Sequence, residues 1–161
     1  GVKLTESEQK IANYIAKSRY TNSRKSGITD NKKGPQSNYE TDLEGVGSEM
    51  AAAKMLNLWP DLGTSGEIPD HDLIINNKTI DVKSTKYKTG RLIAGLHKKD
   101  KACDYYMLMI GSFPEYECAG FCKKENILND KTITNLGWGE LHAVDQIVLQ
   151  SLEDFLDEAN S

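Results

Sequence analysis

The order of hydrophobic patterns along the chain predicts a single α/β domain, with helices flanking a central mixed β-sheet. Three observations carry that prediction. Helical spacing marks two early segments, short apolar runs of strand character follow them, and a last helical segment closes the chain. The length of 161 residues suits one domain with a core of its own. Apolar and charged residues make up 38% and 27% of the chain, ordinary proportions that argue against disorder and against a membrane protein. Even the longest apolar runs, such as 105–110, are too short to span a bilayer.

The elements are expected as follows. Residues 5–17 read as a helix, with Ile11, Tyr14 and Ile15 at helical spacing and acidic residues in its first turn. Residues 22–38 lack periodicity and read as a long loop. A second helix is expected over 41–58, then a connection over 59–67 rich in Gly and Pro. Residues 72–84 read as a β-hairpin and 105–110 as a central strand. A turn through 111–114 leads to a neighbouring strand at 116–122. A short helical turn at 123–128, a late strand at 142–149 and a terminal helix at 152–159 complete the reading. The chain therefore divides into an N-terminal helix and basic loop (1–40), a core (41–128) and a C-terminal strand and helix (129–161).

Three cysteines, Cys103, Cys118 and Cys122, do not make a disulfide framework and read as reduced thiols in a cytoplasmic protein. No signal-peptide pattern opens the sequence. The net charge of -4 speaks against nucleic-acid binding through the overall field, but the charge is unevenly spread. Lys83, Lys86, Lys88, Arg91, Lys98, Lys99 and Lys101 are opposed only by Asp100. Lys17, Arg19, Arg24, Lys25, Lys32 and Lys33 form a second basic stretch, while the tail is acidic. Such asymmetry permits a phosphate-facing surface, although charge runs more commonly mark solvated loops.

The hairpin is the informative segment. Asn tolerates positive φ, so Asn76-Asn77 can form the centre of a tight turn. The register then pairs Ile75 with Lys78, Ile74 with Thr79, Leu73 with Ile80 and Asp72 with Asp81. Alternation puts Leu73, Ile75, Ile80 and Val82 on a core face, and Asp72, Asp81 and Lys83 on the other. Two directly opposed carboxylates destabilise a sheet unless something offsets them. Hard oxygen ligands converging at this spacing suit Mg²⁺ or Mn²⁺. Alternation alone equally describes a surface hairpin whose charges face water.

The second helix supplies a further carboxylate. Thr41 and Glu44 have capping-box spacing, which gives Glu44 a structural task. Glu49 has none: its helical neighbours Gly45, Val46, Ala52, Ala53 and Leu56 are all apolar or small. A glutamate there is costly unless paired, metal-bound or at the stripe's edge reaching water. Gly45 and Gly47 weaken the helix start but let its backbone approach another surface closely.

Together these residues resemble the PD-(D/E)XK nuclease superfamily: a helical Glu49, an Asp72 opening a strand, and Asp81-Val82-Lys83 on the next strand. The resemblance extends over about residues 43–121. It implies a restriction-endonuclease-like domain with a bent hairpin in a helix-flanked mixed sheet, and a metal-dependent nuclease acting on nucleic acid, with DNA the expected substrate. It further implies Mg²⁺ or Mn²⁺ held by Asp72, Asp81, the Val82 backbone carbonyl and Glu49, with Lys83 acting on the attacking water and the phosphate. Lys86, Lys88 and Arg91 would contact backbone phosphates, and a homodimer is a natural arrangement for cutting both strands of a duplex. The literal Pro-Asp dipeptide is Pro69-Asp70, so Asp70 is a substitute ligand should the hairpin register differ. The rival readings are a non-catalytic nucleic-acid-binding module that keeps this fold, and an unrelated interaction protein.

Other groupings are weaker. Cys118 and Cys122, with His97 or His142, have loose zinc spacing, but in a regular strand the thiols would share a face and pack as small hydrophobes. Alternation turns His71 away from Asp72. Trp59 and Trp138 are expected to pack in or beside the core, while Tyr20 and Tyr39 lie near the basic loop as candidate base-stacking groups.

Overall fold

In the computed structural model, residues 1–25, 38–63, 72–96 and 103–161 are described. Expectations resting on Pro69, Asp70, His71, His97, Lys32, Lys33, Lys98, Lys99 and Lys101, or on the side chains of Arg24 and Lys25, lie outside them.

The chain opens with β1 (Val2–Lys3), α1 (Glu6–Lys25) and α2 (Asn38–Met55). Strands β2 (Leu73–Ile75), β3 (Lys78–Thr85) and β4 (Leu92–Ala94) follow. Next come β5 (Tyr105–Ser112), β6 (Glu115–Lys123), the single turn α3 (Lys124–Ile127), β7 (Ile133–Asn135), β8 (Glu140–Val144) and α4 (Leu152–Ala159). Five strands form one sheet in the order β1-β6-β5-β3-β2, and β4-β8-β7 form a second. In the larger sheet β3 runs parallel to β5 while the other pairs are antiparallel, so the fold is mixed α/β. Among the described residues no helix is long and apolar enough to cross a membrane.

Strand β3 separates two cores. Ile80 and Val82 join Leu73, Met107, Met109 and Phe121 in a cluster with residues of α1, α2 and α4. On the other side Tyr106 and Leu108 pack with Leu92, Ala94, Cys122 and Ile127. Asp81 and Lys83 are the register partners of Tyr106 and Leu108, so they share that second side.

The hairpin has three of the four predicted pairs, Leu73 with Ile80, Ile74 with Thr79 and Ile75 with Lys78; the ladder stops at Leu73, and Asp72 is not paired with Asp81 because its amide bonds the Ile80 carbonyl instead. Asn76 and Asn77 both take positive φ, 48° and 67°, the conformation that a two-residue turn of this kind demands.

Several elements depart from expectation. Helix α1 continues through residue 25, absorbing four residues of the expected loop. Its buried stripe is Ala12, Ile15 and Ala16, while Ile11 and Tyr14 are exposed. The reciprocal capping box belongs to Thr5 and Glu8: the Thr5 amide donates to Glu8 Oε1 at 2.7 Å, and the Glu8 amide to Thr5 Oγ1 at 3.2 Å. Because α2 starts at Asn38, Thr41 and Glu44 stand within it and cannot cap it. The expected strand at 142–149 is shorter, and Gln146–Val148 is a 3₁₀ turn with Ile147 and Val148 exposed.

Cys118 and Cys122 fall on opposite sides of β6. The β5 partners step from Gly120 to Cys118 across Leu108 and Met109, so Ala119 is an extra, bulged residue that reverses the alternation. Cys118 packs on the first core and Cys122 lies in the second. His142 is buried with its ring Nδ1 2.7 Å from Thr132 Oγ1. These positions do not assemble a zinc site.

Candidate active site

Asp72 precedes the edge strand β2, where the hairpin opens away from its turn. Its amide donates to the Ile80 carbonyl at 2.9 Å, and its Oδ2 accepts the Val82 N–H at 2.8 Å. Within a strand the N–H and C=O of one residue point the same way. The Val82 carbonyl therefore also turns toward this edge, beyond the last β2 pair.

The four predicted side chains come together. Asp72 lies within hydrogen-bonding reach of Asp81 on one side and of Glu49 on the other. Lys83 Nζ stands 3.5 Å from Asp81 Oδ2. Glu49 arrives from α2, on the opposite side of the sheet from Asp81, and meets Asp72 because β2 is an edge strand. The glutamate keeps about a quarter of its side chain exposed (25%), so it sits at the margin of the apolar stripe and not inside it.

The electrostatics follow from crowding. Burial, and then the charge of Asp72, push the Glu49 carboxyl well above its ordinary range against the opposing pull of Arg19. Burial and the charge of Asp81 raise Asp72 to about 6, although the Val82 N–H works in the other direction. A shared proton or a bound cation would relieve the repulsion that raises Glu49 and Asp72. Among the described residues no three Asp, Glu, His or Cys side chains form a ready-made metal cage. The carboxylates are instead linked pairwise through Asp72. As a donor set of hard oxygens they fit Mg²⁺ or Mn²⁺.

Arg19 is the residue that the sequence reading missed as part of the site. Its Nη1 lies 3.6 Å from Glu49 Oε2 and its Nη2 3.6 Å from Asp61 Oδ2. Its Nε donates to the Gly63 carbonyl at 2.7 Å. The signal was weak because the helix is expected to end at residue 17, whereas α1 runs on through Arg19 and brings it beside Glu49 of α2 and the segment that follows α2.

Helix α2 is fixed at both ends. Glu44, freed from capping, accepts the Phe113 amide at 2.8 Å and the Tyr116 hydroxyl at 2.9 Å, fastening α2 to the β5–β6 turn. Gly47 faces that contact so closely that a Cβ would lie 2.7 Å from Phe113 and from the Tyr116 hydroxyl oxygen. Gly45 meets nothing within 4 Å. At the other end Asn57 takes φ 57°, with Leu58 N–H donating to Ala53 O and Asn57 N–H to Lys54 O, which is a Schellman motif. The chain reverses there and carries Trp59, Pro60 and Asp61 alongside the start of β2. A cleft of about 460 Å³ opens between them, lined by Leu58, Trp59, Pro60, Asp61, Asp72, Leu73 and Ile74.

The basic residues beyond β3 are exposed. Lys86 lies over the Tyr87 ring at 5.4 Å, and Arg91 is held by Asp145 at 2.9 Å. The Lys88 carbonyl accepts from Gln146, which leaves its side chain outward. Of the two tyrosines, Tyr39 donates to Asn13 at 2.6 Å and packs against the core, joining α2 to α1. Trp59 and Trp138 are not packed inside; both are exposed, Trp59 to 84%.

No family model matches this chain, and no curated protein or solved structure is similar to it.

Proposed function

We propose that the chain is a divalent-metal-dependent nuclease with a restriction-endonuclease-like core, hydrolysing phosphodiester bonds in DNA. The observation that carries this reading is the run of neighbouring carboxyls Glu49, Asp72 and Asp81, with Lys83 3.5 Å from Asp81. A surface hairpin has no use for such a run. The mutual repulsion of three carboxylates at a sheet edge is a standing cost that a cation would relieve.

Asp72, Asp81, the Val82 carbonyl and Glu49, directly or through water, would hold the ion. The chemistry that such an ion supplies is polarisation of a phosphoryl oxygen and acidification of water. The chain's own groups do the rest. The Val82 N–H fixes one Asp72 oxygen and leaves the other free to bind. Asp81 aims Lys83, so that its ammonium can stabilise charge developing on the phosphate. Lys86 and Lys88, exposed just past β3, can take neighbouring phosphates, and Arg91 joins them only by leaving Asp145.

The test is incubation with circular and linear, single- and double-stranded DNA and RNA in Mg²⁺, Mn²⁺ or EDTA. Cleavage of DNA that needs the metal, and is lost in both Asp81→Ala and Lys83→Ala, supports the proposal. Retention of nucleic-acid binding with no cleavage under any metal would favour the non-catalytic module instead.

A further inference from the structure

Trp59 presents its indole to solvent beside Asp72, in the cleft described above, although Trp is the largest apolar side chain and the sequence places it next to an apolar helix end. Ile74 of the edge strand β2, half-exposed at 51%, lines the same cleft. Position in the cleft is not left to a floppy loop. The Schellman turn sets the exit from α2, Arg19 binds the carbonyls of Asp61 and Gly63, and Asp61 Oδ1 accepts the Gly63 amide at 2.8 Å.

From this we infer that the cleft is a nucleobase subsite, and that the substrate presents an unpaired nucleotide next to the cut. The inference rests on the nuclease reading and deepens it. Charge argues for a base over a phosphate in this place: the rim carries the carboxylates of Asp61 and Asp72, and the nearby Arg19 is already engaged by Glu49 and Asp61. A phosphodiester would be repelled there, whereas a neutral aromatic ring is not. Size agrees, because about 460 Å³ falls in the range of small-ligand clefts and accommodates a nucleoside. The Asp61 carboxylate can accept from a base N–H, such as the N3–H of thymine. A base buried against Trp59 has left its duplex stack, which restricts the substrate to a single strand, an end or a flipped nucleotide.

The experiment uses the full chain carrying Trp138→Phe, so that Trp59 is its one remaining tryptophan. Its emission is followed while a short oligothymidylate, or the same strand paired to oligoadenylate, is added in Ca²⁺. Cleavage rates in Mg²⁺ are measured in parallel for Trp59→Ala and Trp59→Phe. The expected result is quenching by the single strand and not by the duplex, with Trp59→Ala weakening single-strand binding roughly tenfold or more and Trp59→Phe largely restoring it. Unchanged emission and unchanged binding in Trp59→Ala, in an enzyme that still cuts, overturns the subsite and spares the nuclease. Quenching without cleavage in any metal supports the subsite and removes the nuclease. Emission that changes on dilution alone would mean that a second copy covers the cleft, and overturns the inference.

Discussion

The Val82 N–H donates to Asp72 Oδ2 at 2.8 Å across the open end of the hairpin, so the strand that carries Asp81 and Lys83 also positions the carboxylate facing them. One backbone bond thereby links the geometry of the site to the register of the sheet. It also opposes, without cancelling, the crowding that raises Asp72 to about 6.

Asp72→Asn should therefore stabilise the metal-free protein while abolishing cleavage. The amide oxygen can still accept the Val82 N–H, and the repulsion from Asp81 and Glu49 disappears. A gain of about 1–2 kcal/mol at pH 8 is expected, within the value of a two-unit shift. Denaturant unfolding in EDTA measures it, and a loss of stability there would mean that the cluster is not strained.

The same shift fixes a pH dependence. Asp72 binds its proton more tightly folded, at about 6, than unfolded, at about 3.9. Its contribution to metal-free stability is therefore greatest below the unfolded value and declines as pH rises through about 6, and Glu49 acts in the same direction. Metal binding runs oppositely, since the ion needs ionised ligands. Stabilisation by Mg²⁺ in a thermal-shift series should be small at pH 5 and grow through about 6; a flat profile contradicts this.

Arg19→Ala should uncouple Glu49 from the segment around Asp61. Loss of the cation that lowers Glu49 raises that carboxyl further, so the rise of activity with pH should move to higher pH. A purely structural role would reduce activity at all pH values by one factor, and a pH–rate profile separates the two.

Two neighbouring glycines should respond with opposite signs. Gly45→Ala adds a methyl to open space in a helix and should gain roughly 0.5–1 kcal/mol. Gly47→Ala pushes against Phe113 and Tyr116, and should cost roughly 1–3 kcal/mol while shifting α2, with Glu49, away from the sheet. Thermal unfolding of both variants checks the pair.

Glu158 supplies a separate acid-stability signal. It accepts from Tyr105, from Lys123 at 2.9 Å and from Gln150 at 2.9 Å, which hold its carboxyl down at about 2. Its stabilisation is complete above the unfolded value of about 4.3 and is lost as pH falls toward about 2. Glu158→Gln should flatten the acid limb of the stability curve over that window, as read by circular dichroism.

The hairpin was legible because its information is local. Turn chemistry at Asn76-Asn77 and period-two alternation fix the register, and the register fixes which side Asp81 and Lys83 share and brings Asp72 to the open end of the hairpin. Glu49 was legible as an anomaly on an apolar stripe, although its solution was a place at the stripe's edge. What could not be read depends on distant partners. Glu44 looked like a cap until the Phe113 amide claimed it. Cys118 and Cys122 looked co-facial until a bulge at Ala119 separated them. Arg19 and Trp59 gained their positions from where α1 and α2 end, and helix ends are the least determined feature of a sequence pattern. An exposed Trp59 runs against hydrophobic expectation, and such a mismatch is where function is to be sought.

Cation capture by the three carboxylates is tested most directly by titrating Mn²⁺ into the metal-free protein at pH 8, followed by paramagnetic resonance of the free ion. One ion per chain is expected, with affinity at least tenfold weaker in both Asp72→Asn and Asp81→Asn and little changed in Asp145→Asn. Binding that is absent in the unaltered chain, or indifferent to both substitutions, would contradict the account.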